Sequence, residues 1–291
     1  MKYHEICIEV QEEDKEELAG WLLDQELGYE ERDGETLLRP QEGKSQLCVF
    51  LEPDWTPVFL DELKEAMAGK TYSYVTSLRD EKQWQEEWKN YFRIEKIGRV
   101  AIVPSWELSN YVPDSKEVLV QLDPGRAFGT GRHATTKLCL RMLGELLEKD
   151  VFPSHGVLLD VGCGSGILSI AALLLMPSYR AIGIDIDEEA LEVSEENAIL
   201  NGVQNRFYAD RLPLKGHKDV YPLVFANLTA LTLAELKDSL SQVIAPDGYL
   251  IVSGVLQTEA ANIQSIYEEK GLLLQATLYE EEWACLCFLR K

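Results

Sequence analysis

The chain has 291 residues, 46% hydrophobic and 27% charged, which is long enough for two domains and contains no tract biased enough for disorder. Its formal net charge of -22 and isoelectric point near 4.6 repel phosphate polymers and attract cationic partners. Direct nucleic-acid binding is therefore not expected, and a basic protein is the favoured partner.

Residues 1–79 hold 19 acidic and 8 basic side chains, a net -11 that is half of the whole excess. Such asymmetry makes either a solubilising surface or a docking face for a basic protein. Lys2 to Val10 alternates with Ile6, Ile8 and Val10 on one face, which predicts a strand. Gln11 to Leu27 spaces Leu18, Trp21, Leu22 and Leu23 as a helix does, behind an acidic first turn and ahead of Gly28. Two strands are predicted near Thr36 to Arg39 and Gln46 to Leu51, then a helix from Thr56-Pro57 to Gly69 and a strand over Tyr72 to Ser77. This order is that of a ferredoxin-like α+β domain over 1–79.

Trp84, Trp88, Tyr91 and Phe92 recur at helical spacing, so residues 80–93 are predicted to form a linker helix whose aromatic stripe is buried against the next domain. After strands at Arg99 to Val103 and Val118 to Leu122, helices and strands alternate through 94–291. Helices are predicted over Thr135–Lys149, Gly166–Met176, Glu188–Leu200, Leu231–Ile244 and Gln257–Lys270. Strands are predicted over Val157–Val161, Ala181–Ile186, Arg206–Ala209, Leu223–Asn227, Tyr249–Ser253, Ala276–Tyr279 and Trp283–Leu289. The alternation implies an α/β, Rossmann-like, mostly parallel sheet, here of seven strands with a closing pair.

Cys7, Cys48, Cys139, Cys163, Cys285 and Cys287 sit in apolar stretches without the spacing of a zinc or redox motif, so they are expected to be reduced core residues and no metal is expected. Met1 is followed by a strand pattern rather than a leader, and the longest apolar run, Ile167 to Met176, is too short to span a bilayer. A cytoplasmic protein without membrane attachment, acting as a monomer, is the expectation.

Leu158 to Gly166 is a buried strand that enters Gly162-Cys163-Gly164-Ser165-Gly166 and then a helix. Glycines there permit a tight turn and close approach of a ligand to free N–H groups. The third glycine comes one residue earlier than in the usual dinucleotide fingerprint, so a pyrophosphate is not the natural guest. S-adenosylmethionine carries no phosphate, and its amino-acid end suits Gly162 and Gly164. Asp160 either holds the ammonium group or braces the loop.

Asp185 stands 19 residues beyond Gly166, where a carboxylate accepts both ribose hydroxyls. Asp187 and Glu188 read as capping charges, and Asp210 as an adenine-facing group or a plain loop carboxylate. Asn227 ends a strand at the ligand-binding edge, where its carbonyl orients an amine toward a methyl group; otherwise it caps the helix near Leu231. In Asp123 to Thr136, Phe128 is placed to cover a cofactor and Thr136 to hydrogen-bond it, while His133 is a base or a helix cap.

Leu122 to Thr136, Asp160 to Leu168, Gly183 to Asp187, Glu196-Asn197-Ala198 with Asn201-Gly202, Ala226 to Leu228, Ser253 to Leu256 and Glu282-Trp283 together resemble the bacterial ribosomal protein L-eleven (L11) methyltransferase family. The resemblance covers the whole chain. It implies a class I methyltransferase that moves methyl groups from S-adenosylmethionine to the α-amine and lysine side chains of that basic ribosomal protein. It also implies that Thr136, Gly162, Asp185 and Asn227 line the cofactor site and that Trp283 walls the target amine. Arg126, Arg132 and Ala134 depart from the family pattern, and Leu173 to Arg180 is longer than usual. The competing expectations are a class I methyltransferase with another substrate, a nicotinamide-dependent dehydrogenase, and a non-catalytic acidic adaptor.

Overall fold

Strand β1 (Lys2–Gln11) buries Ile6, Ile8 and Val10 against Leu18 and Leu22 of helix α1 (Lys15–Asp24) and Phe59 and Leu63 of α2 (Thr56–Ala66), as its alternation requires. Strands β2 (Glu30–Arg32), β3 (Lys44–Leu51) and β4 (Tyr72–Asp80) complete an antiparallel sheet in the order β2-β3-β1-β4, which is the ferredoxin-like arrangement. The computed structural model describes residues 2–24, 27, 29–32, 44–51, 53, 55–80, 93–123 and 133–291. Two compact units result, Met1–Tyr91 and Phe92–Lys291. The strand expected at Thr36 to Arg39 and the linker helix expected over 80–93 fall essentially outside the described residues.

Register corrects one expectation. Cys7 on β1 lies directly opposite Cys48 on β3, their Cα atoms 4.1 Å apart, and the two form a disulfide; Cys139, Cys163, Cys285 and Cys287 are free and buried. Cysteine usage thus gives no argument for a reducing compartment. Among the described residues, no helix is long and apolar enough to cross a membrane.

The second unit begins with a small sheet of β5 (Glu95–Ile97), β6 (Val100–Val103) and β7 (Val118–Gln121). Its main sheet contains β8 (Gly156–Val161), β9 (Tyr179–Ile184), β10 (Phe207–Asp210), β11 (Tyr221–Asn227), β12 (Ile244–Leu256), β13 (Leu272–Glu280) and β14 (Trp283–Arg290). Their order is β10-β9-β8-β11-β12-β14-β13, with β14 antiparallel to both neighbours and the other pairs parallel. Helices α3 (Ala134–Glu148), α4 (Ile167–Leu175), α5 (Glu188–Leu200), α6 (Ala230–Gln242) and α7 (Ala260–Glu268) cover the two faces.

Period-two alternation divides the core into two layers. Leu158, Leu223, Phe225, Ile251 and Cys287 face the cluster built on α3 and α4, while Leu159, Val224, Ala226, Leu250 and Phe288 face the cluster built on α6 and α7. Phe225 is fully buried, and burial of such a ring contributes about 1.5–3 kcal/mol. Two arginines close helix ends on this frame. The Arg206 guanidinium donates to the carbonyls of Leu173 and Met176 at the end of α4 and of Tyr179 at the start of β9, and Arg290 donates to those of Ser241 and Gln242 at the end of α6 and of Ile244 at the start of β12. These contacts anchor the far ends of the helices whose N-termini approach the ligand edge.

Candidate active site

Strand register brings the candidate residues together. The last paired residues across β9, β8 and β11 are Ile184, Val161 and Ala226, so Asp185, Gly162 and Asn227 emerge side by side at the carboxyl edge of the sheet. This is the crevice where open parallel sheets bind ligands. On the next strands, Asn227 pairs with Ser253 of β12, and Leu256 of β12 pairs with Trp283 of β14, so the half-buried Trp283 stands along the same edge.

The glycine loop is fastened from three sides. Gly162 and Cys163 donate their N–H groups to the carbonyl of Ile184, Gly164 donates to Asp185 Oδ2 at 2.9 Å, and Asn197 on α5 donates to the carbonyl of Ser165 at 2.9 Å. Gly162 has φ of +72°, and a Cβ there would lie 2.4 Å from Leu228 Cδ2, so the loop is packed onto the residue following Asn227. On the other side of Leu228, a Cβ on Gly254 (φ +80°) would lie 2.4 Å from the Leu228 carbonyl oxygen, a clash with backbone that only glycine avoids. Asn227 is thereby held between the loop and β12.

Asp185 lies just past the end of β9, two residues earlier than the predicted strand end, and its Oδ1 also accepts the Asp187 N–H at 3.1 Å. Each carboxylate oxygen keeps a second lone pair for a ligand. Beside it, Ile186 is fully exposed at 104% of its reference area. Sequence reasoning did not single it out, although a lone apolar residue between two aspartates after a buried strand was a readable signal.

Several open alternatives are resolved locally. The N-cap of α6 is Thr229, whose side chain accepts from Thr232, so Asn227 is not that cap. His133 is the N-cap of α3: its Nδ1 accepts the Thr135 N–H and lies 2.8 Å from Thr135 Oγ1. Its ring also meets Trp283 edge-on, with centroids 4.9 Å apart. Thr136 is buried in the first turn of α3. Asp187 caps α5, and Asp210 accepts the Leu212 N–H as a loop carboxylate. Phe128, Arg126 and Arg132 lie outside the described residues.

Asp160 braces α4: its Oδ2 accepts the Ser169 N–H at 3.2 Å and the Ser169 hydroxyl at 2.8 Å. Burial pushes its carboxyl from the ordinary 3.8 up to about 7, against the lowering effect of both Ser169 bonds and with a further rise from the Asp185 charge. Burial likewise raises the Cys163 thiol, which makes it an inert core group rather than a nucleophile. An acid whose folded pKa lies above its unfolded value stabilises the fold at low pH and loses that contribution as pH rises through the folded pKa. The unfolding free energy should therefore fall between about pH 4 and pH 7 more steeply in the parent than in Asp160→Asn, with a difference in slope of up to about 1.4 kcal/mol per pH unit. Equal slopes would contradict a buried, titrating Asp160.

The end of β7 is also braced. Asn201 at the end of α5 accepts the Gln121 N–H and donates to the Gln121 carbonyl, clipping the end of β7, while Asp123 accepts the Ser105 N–H at 2.6 Å.

Parallel strands with an antiparallel β14, a Gly-x-Gly-x-Gly loop between β8 and α4 and a carboxylate beside it define a class I methyltransferase, an enzyme that uses S-adenosylmethionine. Residues 2–291 match the family model described as ribosomal protein L11 methyltransferase (PrmA), and the chain belongs to that family. A ribosomal protein L11 methyltransferase of Syntrophotalea carbinolica is 41% identical over 209 residues, 72% of this chain and 66% of that protein. One from Caldicellulosiruptor bescii is 32% identical and covers 100% of this chain and 99% of its own length. The crystal structure of a ribosomal protein L11 methylase from Lactobacillus delbrueckii subsp. bulgaricus is similar with a TM-score of 0.61 and 32% identity, covering 69% of this chain and 100% of that one.

Proposed function

We propose that this chain transfers methyl groups from S-adenosylmethionine to amino groups of ribosomal protein L11, its α-amine and lysine side chains. The observation that carries the reading is the side-by-side emergence of Gly162, Asp185 and Asn227 at one sheet edge. The family name of its relatives supplies the substrate.

When bound, the cofactor supplies an electrophilic methyl group on a sulfonium. Gly162 and Gly164 form the backbone cradle for its amino-acid end, Asp185 accepts the ribose hydroxyls, and the bare Ile186 side chain offers an apolar face to the adenine. Thr136 and Phe128 belong to the cofactor side of the site. The chain's chemical task is then alignment and dehydration, since in-line displacement needs no nucleophilic side chain. Asn227 accepts from the incoming amine through its carbonyl and points the nitrogen lone pair along the displacement axis. Trp283, supported by His133, walls the amine from water. A lysine of reference pKa near 10.4 must arrive neutral, and an apolar wall favours the neutral form.

Residues 1–79 are assigned to substrate recognition, 80–93 to the linker and 94–291 to catalysis. A ribosomal substrate makes the cytoplasm the working compartment, and one copy carries the whole set of site residues, in keeping with a monomer. Mass spectrometry of purified L11 incubated with the chain and S-adenosylmethionine tests the reading. Methylated amines are the expected product, and unmodified L11 in the presence of a cofactor-binding chain would refute the substrate.

A further inference from the structure

Among the described residues, strand β4 is an edge strand with one paired side. It pairs with β1 through nine consecutive positions, from Val10 opposite Tyr72 to Lys2 opposite Asp80, and stands last in its sheet. Natural edges are protected by charges, prolines, bulges or short length. Tyr72 to Leu78 contains no charged residue, proline or glycine, and its register has no shift.

Among the described residues, no strand pairs with the outer side of β4. Tyr74 is 45% exposed, Val75 64% and Leu78 53%, and Ser73 and Thr76 are exposed as well. By register, Tyr74 and Leu78 lie opposite Ile8 and His4 on the face that carries the helices. An added strand would cover both of them and satisfy the outward N–H and C=O groups of β4.

Charge selects the occupant. A second copy would bring another unit with net -11 in residues 1–79 against the first, which disfavours self-pairing. Helix α2 crosses between β3 and β4 and exposes Asp61, Glu62 and Glu65 against Lys64 alone. These groups favour a cationic chain.

We infer that the free edge of β4 captures an extended segment of the basic protein substrate as a fifth strand, its apolar residues alternating beside Tyr74 and Leu78 and its lysines or arginines facing the acidic unit. The inference rests on the methylation of a basic protein proposed above and adds where and how that protein is held.

Hydrogen exchange on the full chain, with and without L11 and with methylation assayed on the same samples, tests it. Alternate amides within 73–79 should slow by about ten-fold or more on addition of L11. Val75→Lys should raise KM for L11 by about ten-fold while kcat and cofactor affinity stay within about two-fold, and Val75→Thr should keep the parent KM. Methylation of L11 with unchanged exchange in β4, or with a parent-like KM in Val75→Lys, would overturn strand capture alone. A dimer of the chain that Val75→Lys dissolves without change in KM would assign the edge to a second copy and also overturn it. Absence of L11 methylation by the parent would overturn the functional reading and this inference with it.

Discussion

Asn227→Ala will lower kcat for L11 methylation by about 10²–10³-fold, with the unfolding midpoint and the affinity for S-adenosylmethionine close to the parent's. Asn227 is positioned by β11, by its pairing with Ser253 and by the packing of Leu228 between Gly162 and Gly254, so the backbone keeps its course without the side chain. It caps no helix, since Thr229 does. What alanine removes is the acceptor that aims the amine, an interaction that matters most as the nitrogen reaches the methyl carbon. Steady-state kinetics at saturating L11, beside calorimetry of cofactor binding, separate the two quantities. A parent-like kcat would remove Asn227 from the chemistry.

Asp185→Ala will weaken S-adenosylmethionine binding by about 10²-fold or more. A hydrogen bond to a charged group contributes about 1.5–3 kcal/mol, and the ribose offers two. The loss stays near the lower bound because both carboxylate oxygens already accept backbone N–H groups, from Gly164 and Asp187. Losing the Gly164 contact also loosens the cradle. Asp185→Asn keeps one acceptor and should lose less. Titration calorimetry measures both constants, and a change under about three-fold in the alanine variant would contradict the ribose assignment.

Much of this site was legible because it depends on short-range rules. Alternation identified β1, short apolar runs identified β8, β11 and β14, and the glycine loop announces a strand-to-helix turn whose spacing to Asp185 follows from one crossover helix. Features set by tertiary register were not legible. Cys7 and Cys48 look like ordinary core thiols until β1 and β3 are paired. The same holds for the meeting of His133 with Trp283, 150 residues apart in the chain, and for Arg206 and Arg290, whose helix-capping partners lie on distant elements.

Short or irregular elements were lost for a different reason. Strand β5 has three residues, too few for a period to show, and β12 runs through Pro246-Asp247-Gly248, a turn-like signature with Asp247 at φ of +59°, so the predicted strand began only at Tyr249. Two readings of Asp160 stayed open in the sequence because a buried aspartate serves a ligand or a helix equally well by pattern. The Ser169 contacts show that it braces α4.

Isothermal titration of the full chain with S-adenosylmethionine addresses the whole account at its root. Saturable heat at one site per chain, abolished or strongly weakened in Asp185→Ala and competed by the demethylated cofactor, is the expected result. No heat from either compound would contradict the assignment of the edge formed by Gly162, Asp185 and Asn227.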